Sequence, residues 1–222
     1  PEEPSNGGRI KYVILAYAAM MVLVMGVVVL LEMLNTKVRS DGDFDIRNHV
    51  NVLSNIQGYK KEMNVFLKKH MARESNLLSC MGEYTQESIK KLALNMQFAA
   101  MGEQLQSLTI TSTTPSEGKS SVSLMLATEL ANEGKRVLIV DMDYRSPMIG
   151  RYLGKRAKKD LIDYLNGSAD LRECVVSTNT RNLYFMDNNH HMAVKTRLDA
   201  TDSFDRFIEE AKKYFHLVIF DT

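Results

Sequence analysis

A chain of 222 residues has room for one modest domain with a membrane segment and a linker, and excludes two large domains. With 28 Lys and Arg against 27 Asp and Glu, its net charge of +1 lacks the excess that nucleic-acid binders carry as a basic patch, so no nucleic-acid partner is expected. The two cysteines, Cys80 and Cys174, match neither a disulfide framework nor a metal-ligand spacing, which places the region beyond the first apolar run in a reducing compartment.

Residues 1–11 are polar and bear Pro and Gly, so they read as an extended approach. Tyr12 to Leu31 is an uncharged apolar run of 20 residues. At about 1.5 Å per residue it reaches roughly 30 Å, the hydrocarbon thickness of a bilayer. It is apolar on every side, unlike a core helix, and no small-x-small cleavage pattern follows at Glu32-Met33-Leu34. The spacing predicts a transmembrane helix over 12–34. Arg9 and Lys11 precede it while Lys37, Arg39 and Arg47 follow, which tips the following domain toward the cytoplasm.

Asn35 to Asp45 is rich in charge and turn formers and suits a surface linker. Between His49 and Met81, Lys60, Lys61, Lys68, Lys69 and Arg73 form either a solvated helix face or a contact with anionic headgroups. Ile89, Leu92, Met96 and Ala99 recur at helical spacing within Glu87 to Ala100. Ser107 to Thr111 then reads as a strand, Ser120 to Glu133 as a helix closed by Gly134, and Arg136 to Val140 as a buried parallel strand. Helical pieces follow at Leu161 to Leu165 and Leu171 to Val176. Asn182 to Met186 is a strand, Ser203 to Tyr214 a helix and Leu217 to Phe220 the last strand. This alternation predicts an α/β fold, a parallel sheet with helices on both faces. The domains are drawn at 1–34 (approach and transmembrane helix), 35–82 (linker) and 83–222. The last is read as incomplete because the chain stops just after a strand that belongs in the middle of a sheet.

Three short segments carry the chemistry. A strand, the turn Thr113-Thr114-Pro115-Ser116-Glu117-Gly118-Lys119-Ser120 and a helix together suit a phosphate loop, whose inward backbone N–H groups and helix N-terminus favour an anion. Gly118 lets the backbone approach closely, Lys119 reaches the terminal phosphates, and the Ser120 hydroxyl ligates Mg²⁺. Thr114, Pro115, Ser116, Glu117, Gly118, Lys119, Ser120 and Ser121 are the expected nucleotide-binding residues. The first glycine of the usual G-x-x-x-x-G-K-[ST] pattern is Thr113 here. Asp141, Asp143 and Asp221 all stand at the C-terminal ends of expected strands, where ligands bind in open α/β sheets, and read as magnesium-handling and nucleophile-handling groups. All are expected to converge at one end of the sheet. His190-His191, adjacent and without further ligands, reads as an exposed pair, and Cys174 as a core residue.

Thr111 to Ser120 and Val137 to Pro147, with its Asp141-Met142-Asp143-Tyr144-Arg145-Ser146-Pro147, resemble the Walker A and Walker A′ motifs of bacterial tyrosine kinases, and Leu217 to Thr222 resembles their Walker B. Glu87 to Asn95 is similar to that family's E-x-x-R-x-x-R-x-N oligomerisation helix, with Lys90 and Ala93 in place of the two arginines. Pro1 to Leu34 resembles the second transmembrane region of the polysaccharide chain-length-determinant module. The resemblance implies an ATP- and Mg²⁺-dependent tyrosine autokinase in the cell membrane, working with capsular or exopolysaccharide polymerisation and export machinery as a homo-oligomer. It implies Lys119 and Ser120 on the phosphates and metal, Asp143 and Asp221 supporting Mg²⁺, and Asp141 as the base for the tyrosine hydroxyl. A membrane-tethered partition-type ATPase and a degenerate nucleotide-binding adaptor are the alternatives.

Overall fold

The computed structural model describes residues 6–34, 52–56, 81–100, 105–114, 117–143, 145–188 and 200–222. Most of the linker, with Lys60, Lys61, Lys68, Lys69 and Arg73, the pair His190-His191, and Pro115 and Ser116 of the phosphate turn lie outside the described residues. The chain divides into two compact units, residues 1–52 and 53–222.

In the first unit, α1 (Asn6–Met33) is a single helix of 28 residues. Its stretch Ile10–Met33 has a mean hydropathy of 2.8 and is nowhere buried. At about 1.5 Å per residue its 24 residues span roughly 36 Å, enough to cross a bilayer.

The second unit is built on five strands: β1 (Ser107–Ile110), β2 (Val137–Asp141), β3 (Val175–Ser177), β4 (Leu183–Met186) and β5 (Leu217–Asp221). Their order across the sheet is β1-β5-β2-β4-β3, parallel except for β3, which runs antiparallel to β4 at one edge. The helices are α2 (Glu83–Ala99), α3 (Lys119–Asn132), α4 (Ile149–Leu153), α5 (Leu161–Leu165), α6 (Leu171–Cys174) and α7 (Ala200–Tyr214). Strand residues alternate between two cores, as the period of two requires. Val137, Ile139, Leu183, Phe185, Leu217 and Ile219 face Ile89 and Met96 of α2, Leu126 and Leu130 of α3 and Ile149 of α4. Leu138, Val140, Met186, Val218 and Phe220 face Leu161 of α5, Leu171 and Cys174 of α6, Phe207 and Ala211 of α7 and Phe215 just after it. β2 and β5 are buried along their whole length, which explains their continuous apolar runs.

Some local expectations needed correction. Leu171 to Val176 is not one helical piece: a short helix ends at Cys174, and Val175 turns directly into the antiparallel strand β3. The segment after Asp143 contains a helix, α4, that carries no signal of its own because five residues are too few to display a period. Residues 6–11, read as an extended approach, are also helical: α1 starts at Asn6 rather than Tyr12, because backbone hydrogen bonding carries the helix beyond the apolar run, and α2 starts at Glu83 rather than Glu87. The remaining elements fall close to where the pattern puts them. Gly134 closes α3 with φ of 92°, a left-handed conformation that favours glycine.

Candidate functional site

The pairing of β2 with β5 sets Asp141 directly opposite Asp221, so two carboxylates meet at the C-terminal edge of the sheet. The backbone extends this join. The Met142 N–H donates to the Asp221 carbonyl at 2.7 Å, and the Thr222 hydroxyl donates to the Ile110 carbonyl at 3.0 Å on the other side of β5. The phosphate turn that leaves β1 therefore begins beside Asp221.

That turn enters α3 through Gly118, with φ of 98° and ψ of 18°. A side chain at this position would be strained, which is a physical reason for glycine before the lysine. Before it, Glu117 folds back on its own loop: it accepts from the Thr114 hydroxyl at 2.5 Å and from the Thr114 N–H at 3.2 Å. These bonds, the hydroxyl's first, hold its carboxyl below the usual range. Lys119 and Ser120, half-buried, open the helix, and Ser121 is buried against the core.

Asp221 is completely buried. Its Oδ1 accepts from the Ser123 hydroxyl of α3 at 2.9 Å, while Oδ2 is buried with no hydrogen-bond partner among the described residues. Burial raises its pKa, and the Ser120 and Ser123 hydroxyls and the Lys119 charge hold it down in part. Ser120 acts here as a nearby dipole, since no hydrogen bond from it reaches Oδ2. Asp141 is equally buried but fully engaged: Oδ1 accepts from the Asp143 N–H at 3.1 Å and Oδ2 from the Ile149 N–H at 3.0 Å. Burial pushes its pKa up to about 7; Asp221 and Asp187 add to the rise, and the two backbone donors oppose it. Asp143 is half-buried, and its Oδ1 accepts from the Arg145 and Ser146 N–H groups at 3.0 Å each.

Lys119, Ser120, Asp141, Asp143 and Asp221 thus sit around one edge of the sheet. Sequence reasoning passed over two residues there. Ser123 fixes the Asp221 carboxylate from within α3, a contact spanning 98 positions that no local pattern displays. Asp187 follows β4 as Asp141 follows β2 and Asp221 closes β5. It is buried, which raises its pKa, while the Asn188 and Ala157 N–H groups and the Arg156 charge favour its ionised form. An aspartate after the apolar run Leu183 to Met186 was the available signal.

Mg²⁺ fits these residues. An orphaned, buried carboxylate oxygen near a hydroxyl and a lysine matches a cation or a metal-bound water better than it matches an empty protein interior, where such an atom costs about 1–3 kcal/mol. The described residues contain no group of three His, Cys, Asp or Glu side chains able to cage a cation. Magnesium keeps waters and substrate phosphates in its shell and uses one or two carboxylates, and Asp221 and Asp143 with the Ser120 hydroxyl are donors of that kind.

Comparison with known proteins places the chain in a family. The chain is 32% identical over 138 residues to tyrosine-protein kinase CpsD of Streptococcus pneumoniae serotype 4, a match covering 62% of this chain and 60% of that one. It is 34% identical over 139 residues to the CpsD kinase of Streptococcus agalactiae, over 62% of this chain and 60% of the relative. It therefore spans about 60% of the length of these curated relatives. The kinase domain of the Escherichia coli tyrosine kinase ETK superposes with a TM-score of 0.71 at 22% identity, covering 84% of this chain and 74% of that one, which establishes the shared fold. The family model described as an AAA domain matches residues 108–222, more than half of the sequence, and so the chain belongs to the AAA domain family, in which its relatives are bacterial tyrosine-protein kinases.

Proposed function

We propose that the chain carries the membrane helix and much of the catalytic core of an ATP-dependent protein-tyrosine kinase that regulates capsular or exopolysaccharide polymerisation and export. The observation that carries this reading is the buried, unpartnered Oδ2 of Asp221 between Ser123, Ser120 and Lys119, at the N-terminus of a helix that follows a phosphate-type turn. The names of the curated relatives support tyrosine as the acceptor.

In this reading the N–H groups of the turn and of the first turn of α3, with Lys119, bind the phosphates of ATP. Ser120, Asp143 and Asp221 hold Mg²⁺, which when bound neutralises charge on the phosphate oxygens. The tyrosine oxygen bonds to the γ-phosphorus as the bond to the ADP oxygen breaks, and the phenolic proton passes to Asp141. A carboxyl with a pKa near 7 is suited to accepting it at neutral pH. Because Asp141 is completely buried here, with one backbone donor on each oxygen, that role requires the turn that supplies the Asp143 and Ile149 N–H groups to open and uncover a free lone pair. α1 anchors the core to the cell membrane, with the catalytic unit on the ATP-bearing, cytoplasmic side, and the module acts as a homo-oligomer with the export machinery.

The test uses the full chain in a neutral detergent with Mg-ATP and a tyrosine-containing polypeptide. Lys119→Met is expected to remove nucleotide binding and phosphotyrosine formation together, with an unchanged thermal midpoint. ATP hydrolysis with no phosphotyrosine on any acceptor would replace the kinase by a partition-type switch.

A further inference from the structure

From Tyr144 to Lys159 the chain carries Arg145, Arg151, Lys155, Arg156, Lys158 and Lys159 and no carboxylate. In a chain of net charge +1 this is a local concentration of one sign. Runs of this kind normally repel themselves into disorder or serve as interaction tails. Here the run is held in a defined place by backbone bonds to the strand ends. The Arg145 and Ile149 N–H groups donate to Asp143 and Asp141 after β2. At the other end the Leu161 N–H donates at 3.1 Å to the carbonyl of Asp187 after β4, and the Ala157 N–H supports the Asp187 carboxylate. The whole excursion therefore begins and ends at the sheet edge that holds Lys119 and Asp221.

Among the described residues half of its six cations are unmatched, while the Arg156 charge acts on Asp187. Lys159 reaches Asp163 at 3.5 Å, but Arg151, Lys155 and Lys158 meet no carboxylate among the described residues. Arg151, Arg156 and Lys158 are exposed. The polypeptide reading is favoured over a membrane surface because the one helix in the run, α4, has five residues and turns its Ile149 into the core, leaving no apolar face to enter a headgroup layer.

We propose that this basic segment, anchored to Asp141, Asp143 and Asp187, is a docking surface for an acidic polypeptide and delivers a tyrosine within it to the phosphates at the same sheet edge. The delivery half rests on the kinase reading above; the docking half does not. Acidic residues flanking the tyrosine would neutralise the segment and steer encounter, with a steep dependence on salt.

The test measures binding and turnover separately on the full chain in neutral detergent micelles, with the triple variant Arg151→Gln/Lys155→Gln/Lys158→Gln beside the wild type. Circular dichroism confirms that the variant is folded, and the single exposed change Lys158→Glu serves as a second probe. A labelled Glu-rich peptide with Phe at the acceptor position is expected to bind about tenfold more weakly to the triple variant, the sum of three solvent-screened ion pairs, two at exposed and one at a half-buried cation, and more weakly to wild type as salt rises. A peptide with Gln in place of Glu should show no difference. With Tyr at the acceptor position, KM should rise by the same factor and kcat should hold. Binding that falls in the variant without any phosphate transfer in wild type keeps the docking surface and removes the kinase reading. Equal affinity of wild type and variant for the acidic peptide overturns the surface. So does a loss confined to anionic vesicles, which would make the segment a lipid contact.

Discussion

Asp141 shows how much one carboxylate at a strand end is asked to do. Its pKa, raised from 3.8 to about 7, means that the folded chain holds a proton which the unfolded chain releases between those values. The native state then binds more protons, so this residue's contribution makes stability fall as pH rises from about 4 to about 7 and stay level above, by at most about 4 kcal/mol. Asp141→Asn should flatten that slope in urea unfolding curves recorded between pH 5 and 8. A slope unchanged by the substitution would place the titration elsewhere. The absolute stability of the variant is a separate matter, because an amide has one oxygen to offer where the carboxylate serves two backbone donors. Asp141 and Asp221 were legible in the sequence because each ends an apolar run that cannot continue as a buried strand, and Asp143 because it follows Asp141 by two residues, just past the end of β2. Asp187 follows the apolar run Leu183 to Met186, was legible on the same ground and was passed over. Ser123 was not legible, since its partner is set by tertiary packing alone.

At the scale of elements, strands and long helices could be read from period and burial, whereas α4 and β3 could not, with five and three residues. The helix α2 is instructive because Ile89, Leu92 and Met96 face the core as expected, Ala99 does not, and the buried face widens to include residues with no apolar signal. Thr85, Ser88, Ile89, Ala93 and Met96 are buried, and Ala93 is fully enclosed where the resembling motif has arginine. The helix is pinned from outside as well: Asn95 donates at 2.6 Å to the Leu53 carbonyl and Ser54 donates to the Ser88 carbonyl. Restoring the motif with Ala93→Arg should therefore bury a charge without a partner. We expect a loss of roughly 3–5 kcal/mol, read as a lower midpoint in denaturant with an unchanged slope. A variant as stable as the wild type would mean that position 93 can turn outward.

For the molecule as a whole, α1 separates from the α/β unit in chemistry as well as in sequence. Its apolar surface is bare on all sides, which in water would be an aggregation liability and in a bilayer is the expected condition. An epitope inserted after Asp45 should be digested by protease in inverted membrane vesicles and spared in intact spheroplasts. The reverse pattern would put the phosphate loop on the side without ATP. Sheet order carries a further consequence for how the protein is made. β5 fills the slot between β1 and β2, so neither earlier strand can pair with the other, and Thr222 closes onto Ile110 across 112 positions. During synthesis at about 5–20 residues per second, β1 and β2 wait roughly 5–20 s for the strand that joins them. Through that interval the nascent chain displays two unpaired apolar edges while α1 is already available to the membrane. If α1 is the anchor proposed above, its insertion precedes the closing of the sheet, and the open slot between β1 and β2 is what a chaperone that shields strand edges would bind.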